Sequence, residues 1–264
     1  PECETPVTRE SIVSSSETFD VVIRNGRVMD PETRLDAVRN VGVRGGRIVA
    51  ITAESLEGAA EIIDATGHVV APGFIDTHHH WPAPMGYKLG LRDGRTTMLE
   101  LEMGTLGPYV AQWYGKREGN VQANFGTASG HEAARAFVLD GKGPEEILDY
   151  TKSRAATGWS LQKVNLEQGN RVLQTMDEGL QAGAVGVGST LGYMRNGVSA
   201  REAFEIQKLS AAYGRQAAFH FRYTPGTEVT EANGIQELLA NAVALGAPAV
   251  ACHFNNPGYN LVHE

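Results

Sequence analysis

The 264-residue chain lacks the features that mark disulfide-rich, membrane-spanning and nucleic-acid-binding proteins. Its two cysteines, Cys3 and Cys252, lie far apart, one in a polar stretch and one in an apolar run, which argues against a disulfide framework. No apolar segment approaches the roughly 20 residues needed to cross a bilayer. No basic run exists and the net charge is −8, so we expect neither nucleic acid nor a membrane as partner.

The composition that remains, 42% hydrophobic and 20% charged, is that of a globular protein with one large or two smaller domains. Residues 1–18 are polar and aperiodic, and the chain starts at Pro1. We interpret them as a tail left by removal of upstream sequence, for example an export signal, although an artificial or missing start fits as well. The compartment stays open: cytoplasmic or, if an export signal was removed before Pro1, periplasmic.

Residues 19–70 carry short apolar runs separated by turn signals. Asn25-Gly26 and Gly45-Gly46 each stand between two such runs, a pattern typical of β-hairpins. Hairpins in succession without helices predict a small antiparallel β-module over this range.

From residue 71 to 264 strand-like and helix-like segments alternate. Repeating strand–helix units predict a parallel sheet. We place its six strands at residues 69–75, 96–103, 121–127, 184–189, 216–221 and 248–253. We place helices at 144–155, 170–183, 199–213 and 230–245, with Asn170, Ser199 and Thr230 as N-caps.

Polar side chains follow each predicted strand where the strand ends. They are His78 and His80, Glu100 and Glu102, His131, Tyr193, His220 and His253. Ligands gathered at the carboxyl ends of successive parallel strands are typical of a (β/α) barrel active site. A doubly wound sheet would instead carry a glycine-rich phosphate turn before a helix, and none is visible.

The run Ala71-Pro-Gly-Phe-Ile-Asp-Thr-His-His-His80 predicts a metal site. Alternate residues of a strand share a face, so Asp76, His78 and His80 lie together and His79 points away. Two such imidazoles can bind one cation, most commonly Zn²⁺, although Mn, Fe, Co and Ni also accept imidazole. A surface histidine run or a tag remnant is the alternative, but this run follows an apolar strand and a Pro-Gly turn.

Further ligands are predicted from the later strands. His220 and His253 each follow an apolar run, where a lone histidine is otherwise an ordinary core or surface residue. Glu100 and Glu102 share one face of a buried strand, which is costly without a cation or hydrogen-bond donors, unless the strand is a solvated edge. We predict Glu102 as a ligand, possibly bridging two ions, with Glu100 or Asp76 as its support or as an alternative ligand.

Five residues are candidates for binding a substrate. His131 can donate to a substrate oxygen, although a helix-start or structural role fits equally. Tyr193 and Arg195 can meet a substrate carboxylate, and Arg222 can orient the substrate. Asn255 lies two residues beyond the last predicted histidine ligand.

Together the β-module, the run 70–80 and the later single histidines resemble the amidohydrolase superfamily. Within it the chain is similar to the D-aminoacylase and N-acyl-D-glutamate deacylase group, through residues 94–102, 124–131, 183–193 and 219–222. The match runs from about residue 19 to 256. The resemblance implies a metal-dependent (β/α)₈ barrel with a small β-sandwich, one or two divalent ions, and hydrolysis of a linear amide, most of all an N-acyl-D-amino acid.

The chain departs from this group in three places. Typical D-aminoacylases have a cysteine ligand where this chain has Glu102 and Met103, which favours a glutamate bridge. They also have a lysine for the substrate carboxylate at the position of Asn255. The family barrel has eight strands and a general-acid/base aspartate after the last, so we expect a second polypeptide to complete this barrel, in an oligomeric assembly.

Three alternatives remain open. The same site can act on a cyclic amide or an isoaspartyl dipeptide, and it can belong to a deaminase, which would release ammonia. The third alternative is an inactive half-barrel that serves as an interaction partner.

Overall fold

The computed structural model describes residues 18–80, 82–153, 155–222 and 234–253. These residues fall into two compact units, which divide between Gly73 and Phe74. The predicted cap Thr230 and the predicted site residue Asn255 lie outside the described residues. None of the helices in the described ranges is both long and apolar enough to cross a membrane.

The first unit is a five-stranded sheet. Its strands are β1 (Phe19–Asp30), β2 (Leu35–Arg44), β3 (Arg47–Thr52), β4 (Ala59–Asp64) and β5 (Val69–Val70). The order is β3-β2-β1-β4, and β5 also pairs with β1. The first three strands are antiparallel, but β4 and β5 run parallel to β1, so the prediction of a purely antiparallel module is wrong. The described residues of this unit form one sheet, and the sandwich stays a prediction.

The two glycine turns predicted in this unit differ in outcome. Gly45-Gly46 joins β2 to β3 with φ angles of 58° and 71°, so this hairpin is confirmed. Asn25-Gly26 lies inside the single strand β1, where the register shifts between Ile23 and Gly26. Asn25 has a φ of 61°. One type of β-bulge uses a left-handed residue, as a tight turn does, and here β2 continues as the partner on both sides of it.

The second unit holds the predicted parallel sheet. Its strands are β6 (Phe74–Asp76), β7 (Arg95–Thr105), β8 (Asn124–Gly130), β9 (Gly186–Ser189), β10 (Gln216–Phe219) and β11 (Ala249–Ala251). All neighbours are parallel and lie in sequence order, from β6 to β11. This order is that of a (β/α) barrel, so the fold class is confirmed, and the described residues hold the six barrel strands that were predicted.

Helices follow the strands of this sheet. They are α1 (Pro84–Arg92), α2 (Val110–Gly115), α3 (His131–Asp140), α4 (Pro144–Lys152), α5 (Gly158–Leu161), α6 (Leu166–Gln181), α7 (Ala200–Ala212) and α8 (Gly234–Leu245). Their apolar faces bury Met176, Leu180 and Ile206 in one core with Val187 and Phe219 of the sheet.

The helix caps were partly predicted. Ser199 caps α7 by accepting a hydrogen bond from the Glu202 amide. The cap of α6 is Asn165, in a capping box with Gln168, rather than Asn170. The helix begins one turn earlier because this pair satisfies its free amides.

The strand predicted at 69–75 is divided between the two sheets. Residues 69–70 pair with β1 in the first unit, and 74–76 pair with β7 in the second. Pro72 stands between them and has no amide to donate to a sheet. The strand is also not buried, since Phe74 and Ile75 are 64% and 65% exposed on β6, the end strand of the described sheet.

Candidate metal centre

The carboxyl ends of the barrel strands bring the predicted ligands together. The segment after β6 carries His78 and His80, β7 carries Glu102, and His220 and His253 follow β10 and β11. An antiparallel bridge between His78 and Glu100 holds the histidine run beside β7. Parallel strands end at one edge of their sheet, so residues remote in sequence meet there.

The carboxylate of Glu102 is the centre of this cluster. The side chain is buried, with 2% of the residue exposed. Its Oε2 lies 2.5 Å from Nε2 of His78, 3.2 Å from Nε2 of His80 and 3.0 Å from Nε2 of His253. Its Oε1 lies 2.7 Å from Nδ1 of His220. Four imidazoles therefore approach one carboxylate, three on one oxygen and one on the other.

The donor set fits a divalent cation. One possible ligand atom from each of His78, His80, Glu102 and His253 lies within 4.8 Å of all the others. The Nε2 atoms of His78 and His80 are 2.8 Å apart, and at most one proton can lie between them. Converging imidazole nitrogens beside a buried carboxylate are the ligands that Zn²⁺ and similar ions prefer.

The pKa values of the cluster reflect these contacts. Burial opposes ionisation of Glu102, but hydrogen bonds from His220, His78 and His80 hold the pKa of its carboxyl far below the usual range. Hydrogen bonds to Glu100 and Glu102 raise the pKa of His80 to about 10. Burial lowers the pKa of His253, although Glu102 acts in the opposite direction.

Glu100 supports the cluster from behind. Its buried carboxylate lies 3.0 Å from Nδ1 of His80 and accepts a hydrogen bond of 3.2 Å from the Met103 amide. A carboxylate on Nδ1 favours the tautomer in which the Nε2 lone pair of His80 is free for a cation. The predicted supporting role therefore fits the geometry.

Two features shape the His220 and His253 side of the cluster. His253 has a φ of 61°, a left-handed conformation that is uncommon for a residue other than glycine and is often found at functional sites. The ring of Tyr193 lies 4.7 Å from the His220 ring, centroid to centroid, and is 42% exposed. Tyr193 therefore lies beside the cluster, and its contact with a substrate carboxylate stays a prediction.

Parts of the chain are similar in sequence to a dihydroorotase and to an allantoinase. No family model matches the chain. Dihydroorotase of Streptococcus pneumoniae serotype 4 is 53% identical over 64 residues, which cover 24% of this chain and 15% of the relative. Allantoinase of Salmonella choleraesuis is 37% identical over 134 residues, which cover 47% of this chain and 27% of the relative.

Solved structures match over most of the chain. A D-aminoacylase crystal structure, described as defining a subset of amidohydrolases, superposes with a TM-score of 0.70 at 22% identity, over 88% of this chain and 51% of that one. The solved structures thus confirm the fold that the resemblance to the amidohydrolase superfamily implies. The N-acyl-D-glutamate deacylase of Bordetella bronchiseptica, complexed with zinc and a phosphonate inhibitor, gives 0.68 at 21% identity, over 88% of this chain and 51% of that one. This chain thus spans about half the length of those solved structures, and its sequence matches cover 15–27% of the curated relatives.

Not every predicted site residue reaches the cluster. Asp76 accepts hydrogen bonds from the His78 amide at 3.1 Å and from Arg95 at 2.9 Å, and it lies 3.6 Å from Nδ1 of His79. Its carboxylate thus holds the base of the histidine run, and the alternative of Asp76 as a ligand is not supported.

His131 is fully buried and does not face a substrate. Its Nδ1 lies 2.8 Å from Oγ of Ser189, and its Nε2 lies 3.0 Å from Oε1 of Glu202. Burial lowers its pKa, although Glu202 acts in the opposite direction. Both ring nitrogens are engaged, so the structural alternative is correct and the substrate-binding one is wrong.

Arg222 is also a structural residue. Its guanidinium forks onto Glu237 and donates to the carbonyl of Val198, with 6% of the residue exposed. The prediction that it orients substrate is therefore wrong. Arg195 is exposed, and its carbonyl accepts a 3.4 Å hydrogen bond from Arg222.

The sequence reasoning missed the buried pair of Arg135 and Glu202, 2.6 Å apart. A usable signal was present, because Arg135 stands inside the apolar run Ala133–Phe137 of a helical segment. An arginine there is fully buried only if it is paired.

Proposed function

We propose that this chain is the metal-binding portion of an amidohydrolase that cleaves a linear amide, with N-acyl-D-amino acids as the substrate class. The observation that carries the proposal is the approach of four imidazoles to the buried carboxylate of Glu102. Four imidazoles that converge on one buried carboxylate are a donor set typical of a metal site.

The proposed ligands divide between the two oxygens of Glu102. His78, His80 and His253 would hold one ion with Oε2, and His220 with Oε1 would begin a second position. Zn²⁺ is our first choice, because the donors suit it and the similar deacylase structure contains zinc. A related D-aminoacylase study describes a binuclear metal centre, which supports one or two ions. A bound ion would supply a water of lowered pKa and polarise the amide carbonyl.

The remaining residues position the His80 ring or are available to bind the substrate. Glu100 holds the His80 ring through Nδ1, which keeps Nε2 directed at the cluster. Tyr193 offers an exposed phenol beside His220, where it can donate to a substrate oxygen. Exposed Arg195, on the same loop, and Asn255 are the remaining candidates for a substrate carboxylate.

The end strands of the described sheet support a further partner. β6 and β11 each have one neighbour in that sheet, and the exposed apolar residues Phe74 and Ile75 lie on β6. Open edges and exposed apolar side chains are normally covered. We infer that further barrel strands complete the sheet, from the same or from a second polypeptide, and bring the aspartate that protonates the leaving amine.

A cyclic amide is the second candidate substrate. The sequence matches to a dihydroorotase and an allantoinase favour a cyclic substrate, because the names of both enzymes refer to a cyclic amide. An L-hydantoinase also superposes, with a TM-score of 0.58 at 18% identity over 89% of this chain and 52% of that one. The linear amide is supported by the resemblance of four sequence stretches to the D-aminoacylase group, among them residues 94–102, which end at Glu102.

The test is a substrate panel on the complete protein loaded with Zn²⁺. We expect hydrolysis of N-acyl-D-amino acids, lost on chelation and restored by Zn²⁺, and lost in His220→Ala. Faster turnover of dihydroorotate, allantoin or hydantoins would replace the linear amide by the cyclic one. Full activity after chelation, or in His220→Ala, would overturn the metal assignment itself.

A further inference from the structure

The loop between β9 and α7, residues 190–198, lies directly against His220. The Gly192 amide donates to the His220 carbonyl at 2.9 Å, and the Tyr193 ring lies beside the His220 ring, with a tilt of 42° between the two planes. A Cβ at Gly192 would lie 2.5 Å from Cδ2 of His220. The position of this loop therefore defines the space that the His220 imidazole can occupy.

Arg222 holds the far end of this loop. Its Nε and Nη2 lie 2.8 and 3.2 Å from the two carboxylate oxygens of Glu237 on α8. Its Nη1 donates to the carbonyls of Val198, at 2.7 Å, and Arg195, at 3.4 Å. The guanidinium thus ties two loop carbonyls to the helix that follows β10.

Arg135 of α3 holds the same end from the other side. Its Nη1 donates to Oε1 of Glu202 at 2.6 Å, and its Nη2 donates to the Gly197 carbonyl at 3.4 Å. Its Nε donates to the Trp159 carbonyl at 2.6 Å. A Cβ at Gly197 would lie 3.0 Å from Nη2, so the loop backbone packs closely on this guanidinium.

The beginning of the loop is tied to the same network. Ser189, the last residue of β9, contacts His131 through its hydroxyl, and its carbonyl accepts a 2.9 Å hydrogen bond from the His220 amide. His131 in turn contacts Glu202, the partner of Arg135. Both ends of the loop are therefore held by buried polar groups.

The two arginines share one arrangement. Each guanidinium is buried, each pairs with a glutamate from a neighbouring helix, and each donates its remaining N–H groups to backbone carbonyls that include the loop. Buried charge is costly and is a poor way to gain stability alone. Arginine does, however, fix geometry, because its planar fork holds several donors in set directions.

We propose that Arg135 and Arg222 are positioning residues, which hold the 190–198 loop so that Gly192 and Tyr193 keep the His220 imidazole directed at Glu102. The inference deepens the proposed function, on which its consequence for metal binding rests. Neither arginine touches the cluster through its side chain, so both act through the loop.

The test compares Arg222→Lys and Arg222→Met with Arg215→Met in the complete protein. Arg215 is a matched control, because its guanidinium also donates to two carbonyls, those of Leu180 and Ala184, at 2.5 and 2.6 Å. It precedes β10, about 16 Å along the chain from His220 and at the opposite end of the strand. If Arg222→Met does not fold, Glu237→Gln is a second variant, which weakens the ion pair that holds Arg222.

Two readouts on the metal-free protein decide the inference without any metal. We expect faster amide hydrogen exchange in the 190–198 segment and a shifted His220 ring resonance for the Arg222 variants, larger for Met than for Lys. Arg215→Met should change neither. Unchanged exchange in the loop, or an equal rise across the whole sheet in both sets, would overturn the proposal.

A third readout uses Co²⁺ and Zn²⁺ alone. We expect Arg222→Met to weaken binding by about tenfold, near the lower limit for residues that orient a ligand, and to alter the Co²⁺ absorption spectrum. If the wild-type protein binds no metal, the proposed function fails. Amide hydrogen exchange in the 190–198 loop then still tests the positioning role of Arg222. If the wild-type protein binds metal and Arg222→Met has the same metal affinity and spectrum, the positioning role of Arg222 is wrong and the proposed function stands.

Discussion

Nδ1 of His220 lies 2.7 Å from Oε1 of Glu102, although 118 positions separate the two residues in sequence. The contact joins β10 to β7, with two strands between them in the sheet. A flat sheet would keep these strands about 14 Å apart, at roughly 4.8 Å for each step. The curl of the sheet therefore brings the cluster together. The same residues at the strand ends of a flat sheet would lie too far apart.

Glu102→Gln should abolish tight metal binding. The amide keeps the shape of the side chain but removes the charge that faces four imidazoles. The loss of Zn²⁺ affinity should exceed the roughly 10–100-fold that removal of a supporting residue costs. Competition with a chromophoric chelator measures it, with Glu205→Gln as control, since Glu205 contacts Lys208 on the same helix. Equal affinities for the two variants would contradict the central role of Glu102.

Glu100→Leu should weaken metal binding less than Glu102→Gln does. The substitution leaves the ligands in place but removes the acceptor 3.0 Å from Nδ1 of His80. We expect a loss of roughly 10–100-fold in Zn²⁺ affinity, as for other carboxylates that orient a histidine ligand. A loss as large as that of Glu102→Gln would mean that Glu100 is itself a ligand.

Gly192→Ala should disturb His220 sterically. The new methyl group would lie 2.5 Å from Cδ2 and 2.7 Å from Nε2 of the ring, so either the ring or the loop must move. Zn²⁺ affinity should fall, and thermal denaturation should show a modest loss of stability. Gly115→Ala is the control, because no atom lies within 4 Å of a Cβ built there. A Zn²⁺ affinity of Gly192→Ala equal to that of the wild type would show that the His220 ring is not confined by Gly192.

The residues that lie where the sequence predicted them are those that local patterns and strand ends can identify. His78, His80 and Glu102 follow from the two-residue period of strands and from the meeting of parallel strand ends. Ser199 follows from a local capping pattern.

The incorrect predictions have a common cause, which is that they depend on tertiary contacts. His131 and Arg222 carry the chemistry of a site, but their partners, Glu202 and Glu237, come from helices whose position only the folded barrel defines. Whether a polar strand-end residue faces the substrate or a helix depends on that tertiary contact. The exposure of β6 was equally hidden, because its apolar residues have the same pattern as those of a central strand.

The buried His131 predicts a pH dependence of stability. Burial lowers its folded pKa, and Arg135 and Arg222 act in the same direction while Glu202 opposes them. In the unfolded chain a histidine takes up a proton near pH 6.5. The unfolded state therefore binds more protons than the folded one, and stability falls as the pH drops through that value, by at most about 1.4 kcal/mol per pH unit.

His131→Gln should remove this dependence. The variant will be less stable than wild type at pH 7.5, because Ser189 and Glu202 lose a partner, but the difference should shrink as the pH falls to 5. Urea denaturation at a series of pH values measures it, and His68→Gln, at an exposed histidine, should follow the wild-type curve. A difference that stays constant between pH 7.5 and 5 would mean that His131 takes up its proton in the folded protein as readily as in the unfolded chain. That would contradict the neutral, doubly hydrogen-bonded imidazole on which the loop network is built.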